Sequence, residues 1–140
     1  MPASEENKAI VRRYQDAYNR NDLDALDDLV AEDIISHNHA PGVPQGLQGS
    51  KLVHQATVAA MPDYHVVTED LFAEGDKVVA RIRMVGTHTG ADFLGVPANG
   101  RKIDVPAISI FRIADGKIVE HWAQADNTQL MQQLGLMPAP

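Results

Sequence analysis

With 140 residues, 44% of them hydrophobic and 22% charged, the chain has the size and mixture of one globular domain, expected to span 1–140. A net charge of −7 repels a phosphate backbone, so nucleic acid is not an expected partner. The absence of cysteine excludes disulfides, thiolate nucleophiles and cysteine-bound zinc.

The N-terminal stretch MPASEENKAIVRRY is polar and acidic, with no apolar leader core. No apolar run approaches the ~18 residues needed to span a bilayer. A cytoplasmic location without membrane attachment is therefore expected. Ser4 is a candidate helix cap, and Glu5 and Glu6 suit the positive end of the dipole that follows. Ile10, Tyr14, Ala17 and Tyr18 then recur at helical spacing as one apolar stripe. After Asn21 and Asp22, a shorter stripe follows through Leu23, Leu26, Leu29 and Val30. Ile34 to His37 reads as a brief extended piece, and the Pro/Gly-rich stretch Ala40 to Gly49 as loop. Ser50 is placed to cap a third helix reaching to about Met61, which Pro62 helps to end.

From His65 onward the period changes to two. His65 to Ala73 and the alternating Val78, Ala80, Ile82 and Met84 read as strands joined through Glu74-Gly75-Asp76. Arg81 and Arg83 then lie on a solvated face. Ile103 to Ile113 is apolar on both parities, which predicts a strand whose outer face is also covered. Asp115-Gly116 marks a hairpin leading into Lys117–Ala125. A short helix over Thr128 to Leu134 ends at Gly135. Helices segregated from strands imply an α+β fold: three N-terminal helices on a strongly curved antiparallel sheet, closed by a short C-terminal helix. The hollow between helices and a bent sheet is a place for a small organic molecule.

Asp126 ends the last strand and, by simple alternation, shares a face with Ile118, Trp122 and Gln124. Two readings stand. Desolvation beside an indole would raise its pKa and suit it to acid/base work. Its place just before the last helix suits it to be an N-cap, which the spacing alone favours somewhat over catalysis. His88, in GTHTG, continues the inward parity of Val78 to Met84 and is either a core or a cavity histidine. His121 takes the parity opposite to Asp126, provided no bulge intervenes, and reads as structural or interfacial. His37-Asn38-His39 is a H-x-H pair with no third ligand at persuasive spacing, so His37 reads as a pocket-rim hydrogen-bond donor and no metal is expected. Tyr14 and Tyr18, one turn apart, read as core residues, with a phenol able to reach a pocket. GVPANG is a turn rather than a phosphate loop, and no G-x-S-x-G elbow is present.

Several segments resemble the SnoaL-like polyketide cyclases, of the nuclear-transport-factor-2-like superfamily. They are YNRNDLDALDDLVAEDII, GLQGSKLVHQ, GTHTGADFLGVPANGRKIDV, ISIFRIADGKIVEHWAQAD and the closing LMQQLG. The resemblance covers nearly the whole chain in order. It implies a cone-like α+β barrel, dimerisation through the outer sheet face, and aldol ring closure on a polyketide ester without cofactor or metal. It also implies Asp126 as the acid/base carboxylate, with His37 and His88 lining the cavity; Trp122, from the face it shares with Asp126, and Tyr14, from its helical stripe, are expected to bind substrate beside them. The expected ligand is a small apolar or carbonyl-containing molecule. Rival expectations on the same scaffold are an isomerase, an epoxide hydrolase using Asp104 and Arg112, or a non-catalytic binding protein.

Overall fold

In the computed structural model, residues 3–138 are described. The first stripe forms α1 (Ala3–Asn19), which buries Ile10, Val11 and Ala17. Ser4 lies within its first turn rather than ahead of it. The second stripe yields a single turn, α2 (Leu26–Leu29), that seats Leu26 and Leu29 in the core. The chain continues as β1 (Val30–Ser36) and then α3 (Gly46–Ala60).

That third helix begins four residues before its expected cap, inside the stretch that reads as loop. Gly49 explains why. A Cβ there would stand 1.7 Å from the Pro44 carbonyl oxygen, so glycine is what lets the chain turn this tightly into the helix. No side chain caps its Gln45 start. Instead the Gln45 amide clamps Ser36, accepting from its N–H at 2.9 Å and donating to its carbonyl at 2.9 Å.

The strands β2 (His65–Glu74), β3 (Lys77–Thr87), β4 (Lys102–Ala114) and β5 (Lys117–Ala125) form an antiparallel meander, followed by α4 (Asn127–Leu134). The sheet order is β1-β5-β4-β3-β2. The sheet is thus open, and it is mixed rather than wholly antiparallel, because β1 joins the edge of β5 in parallel. Asn38 extends that edge, accepting from Ala123 N at 2.6 Å and donating back to the same residue's carbonyl. Asn19 clamps Val66 and Gln133 clamps Asp104 in the same two-bond fashion. A primary amide carries both a donor and an acceptor, so it imitates one step of a β-ladder. Four such residues tie α1, β1, α3 and α4 to the sheet.

On β4, Ile103, Val105, Ala107, Ser109, Phe111 and Ile113 point inward. Opposite them, Val78, Ala80 and Ile82 of β3 complete the main core with the α1 stripe. A smaller cluster under α4 joins Met61, Tyr64, Val105 and Leu134. The outer parity of β4 is apolar as expected, but Ile108 is 48% exposed in the single chain.

Candidate functional site

One irregularity decides the site. Consecutive residues Arg112 and Ile113 of β4 pair with Glu120 and Ile118 of β5, leaving Val119 as an extra residue. Such a bulge reverses which parity faces inward. Ile118 is inward before it; His121, Ala123 and Ala125 are inward after it, opposite Phe111, Ser109 and Ala107. Glu120, Trp122 and Gln124 are turned to the outer face.

Between α1 and the sheet lies a cavity of about 160 Å³. Its walls are apolar apart from Gln15, Ser109, His121 and the phenols of Tyr14, Tyr18 and Tyr64. None of the described residues lining it is aspartate or glutamate. The His121 ring stacks on Phe111 with centroids 4.7 Å apart and planes 5° from parallel. Burial, with His39 and His37 nearby, pushes its pKa down to about 4, so it is neutral near pH 7. Its Nε2 is buried without a protein partner. Burial also pushes Tyr14 up to about 12 and Tyr18 well above its ordinary value, which keeps both phenols protonated as donors.

The expected site residues separate. Tyr14 lines the cavity, as the helical stripe allows. Trp122 does not, because the bulge turns it outward. There it stacks on His37, with centroids 4.9 Å apart, and carries Lys77 over its face at 5.9 Å. His37 shares that outer location: its Nε2 lies 2.6 Å from Glu120, whose other oxygen accepts from Arg112 at 2.8 Å. The carboxyl of Glu120 is accordingly held below its ordinary range, first by His37 and then by Arg112. His39 bonds the Pro44 carbonyl at 3.1 Å, so the H-x-H pair diverges.

His88 is fully buried, but away from the cavity. Just past the end of β3, it meets the Ala91 carbonyl through Nε2 at 2.8 Å and packs near Phe93. The inward parity was right for it; the strand ends before the imidazole reaches the hollow. Asp126 caps α4, accepting from Gln129 N at 3.0 Å and from Gln129 Nε2 at 2.8 Å. Those bonds, the backbone one foremost, lower its pKa. It is not among the cavity's lining residues. Asp104 and Arg112 both lie on the outer parity of β4, where Asp104 binds Arg83 at 2.7 Å and Arg112 binds Glu120. They form no water-holding pair in the cavity. His121 is the residue that sequence reasoning missed, and no local signal betrays the bulge that turns it in.

A family model described as SnoaL-like polyketide cyclase matches residues 8–134. The chain belongs to the SnoaL-like polyketide cyclase family. It is 28% identical over 130 residues to the aklanonic acid methyl ester cyclase DauD of Streptomyces sp. (strain C5), covering 90% of this chain and 80% of that one. The solved structure of TsrD from Streptomyces laurentii superposes with a TM-score of 0.86 at 32% identity, covering 95% of this chain and 97% of that one. IdmH from Streptomyces antibioticus gives 0.80 at 34% identity, covering 92% and 98%. This SnoaL-like chain shares the nuclear-transport-factor-2-like cone fold of these neighbours. Among its described residues no helix is long and apolar enough to cross a membrane.

Proposed function

We propose that the cavity binds a compact carbonyl compound and closes a ring in it by an intramolecular aldol step, with His121 as the acid/base and a tyrosine phenol as the oxyanion donor. The neutral imidazole in an apolar cavity whose described lining has phenols but no aspartate or glutamate carries this reading. His121 takes a proton from the carbon between two carbonyls. The enolate oxygen is held by the Tyr14 hydroxyl, which stays protonated. The enolate carbon then attacks a third carbonyl further along the same molecule, forming the C–C bond as that C=O π bond breaks, and His121 returns its proton to the new alkoxide. Substrate and product are isomers, and the residues end as they began. A base of about this strength, a carboxylate near pKa 4.6, already suffices for proton abstraction in ketosteroid isomerase. Asp126 keeps its capping role.

The cavity size supports a small substrate. A void of about 150 Å³ accommodates benzene, so about 160 Å³ suits a ligand with one ring or one ring-forming chain. The name of the relative DauD supports a methyl ester as its electron-withdrawing group. A homodimer across the outer sheet face belongs to the same proposal, supported by the exposed Ile108 beside Trp122 and Ile110.

The test is turnover of a short β-keto methyl ester bearing a second ketone placed to close a six-membered ring. Wild type should form the ring, and His121→Leu should be slower by about 100-fold or more. Unchanged turnover in His121→Leu would remove the acid/base role. Saturable binding without ring closure in wild type would make the protein a carrier of the same ligand.

A further inference from the structure

Behind the main cavity, between α1, α3 and the sheet, lies a second hollow of about 20 Å³. Its polar lining includes His54, His121 and Ser50 beside the phenols of Tyr14 and Tyr18. His54, on α3, is 2% exposed and makes an edge contact with Tyr18, ring centroids 4.1 Å apart. Its Nε2 lies 2.9 Å from the amide oxygen of Asn21. An oxygen only accepts, so His54 carries its proton on Nε2 and presents a lone pair at Nδ1. That Nδ1 is buried without a protein partner, as is His121 Nε2. Two orphaned ring nitrogens thus belong to residues lining one hollow.

Buried polar atoms of this kind are satisfied by ordered water where space and partners allow. A water needs about 10–15 Å³ and two to four polar partners. The hollow exceeds that volume, and His54, His121 and Ser50 supply three partners.

We infer that this hollow is a binding site for one ordered water that bridges His54 Nδ1 and His121 Nε2, which makes His54 a positioning residue for His121. The water donates to His54 Nδ1 and to the Ser50 oxygen, and accepts from His121 Nε2–H. The Ser50 hydroxyl oxygen carries two acceptor lone pairs, so it can take the water's second proton. The bridge fixes His121 as the Nε2–H tautomer and leaves its Nδ1 lone pair for the larger cavity. The water site stands on the geometry alone; its catalytic consequence rests on the acid/base reading of His121.

Imidazole ¹⁵N NMR and water-to-ring cross-relaxation on the wild-type protein at neutral pH test this without substrate. The expected result is a pyrrole-type shift for His121 Nε2, a pyridine-type shift for its Nδ1, and a long-lived water cross-peak to the His54 and His121 ring protons. In His54→Leu the cross-peak should vanish and the His121 nitrogens should move toward a two-tautomer average. His54→Gln, whose amide oxygen can accept from the same water, should restore the cross-peak. A wild-type spectrum with no such water, or with pyridine-type Nε2, overturns the proposal whatever the variants do. Unmoved His121 nitrogens in a folded His54→Leu protein overturn the positioning role. These readouts do not depend on turnover, so failure of the water site and failure of the cyclisation reading are told apart.

Discussion

Phe111 and His121, on neighbouring antiparallel strands, lie face to face at 4.7 Å with ring planes 5° apart. The pair is the hinge between core and cavity: Phe111 is 3% exposed, and it holds the imidazole that lines the larger cavity. Phe111→Ala should therefore act twice. Removing a buried phenyl costs about 3–5 kcal/mol of stability, to be read from urea unfolding. The opened space should also hydrate His121 and raise its pKa toward the ordinary value, read by histidine NMR titration. A destabilised protein with an unmoved His121 would mean that Phe111 is packing alone.

Stability should depend on pH in a window set by that imidazole. The folded-state pKa of His121 is about 4 against an ordinary 6.5. On acidification the unfolded chain takes up the proton near 6.5, while the folded one resists until near 4. Stability therefore rises with pH between about 4 and 6.5 and is flat above. The full difference, 6.5 − 4 = 2.5 pKa units, corresponds to about 3 kcal/mol. His54, also lowered by burial, acts in the same direction. The carboxyls of Glu120 and Asp126, held low by their hydrogen bonds, contribute stability that is lost at lower pH still. Urea midpoints from pH 7.5 to 4 should fall steeply in wild type and less in His121→Phe. Coincident slopes would show that His121 titrates normally.

Asp126 discriminates between the two roles open to it in sequence. As a cap, it tolerates Asn and not Ala: Asp126→Asn should be nearly neutral, and Asp126→Ala should cost about 1 kcal/mol. With His121 as the acid/base, Asp126→Asn should also keep most of the wild-type turnover. A large loss of turnover in a stable Asp126→Asn protein would return the acid/base role to the carboxylate.

The outer sheet face offers a test of assembly. Ile108 is 48% exposed at the centre of β4, between the Arg83–Asp104 and Arg112–Glu120 pairs. A dimer across this face should become monomeric in Ile108→Asp by light scattering, with secondary structure intact. If wild type is itself a monomer at high micromolar concentration, the face is simply a solvated one.

Much of the fold was legible because its signals are local. The alternation of Val78 to Met84 set the inward face of β3, Asp115-Gly116 set the hairpin, and Gly135, at φ +85°, ended α4 where expected. Tyr14 reached the cavity because helical spacing alone puts it on the buried stripe. The loop reading of residues 40–49 failed at Gly46 and Gly49, where glycine serves a close backbone approach rather than flexibility.

The sequence by itself determined the elements and their faces within unbroken strands, all set within a few residues along the chain. Only the tertiary structure decided that β1 pairs in parallel with β5, that Val119 bulges, and therefore that His121 rather than Trp122 looks into the cavity. The physical reason is range. Alternation is a property of one strand, whereas a bulge is a disagreement between two strands about register, settled by what each buries against the rest of the molecule.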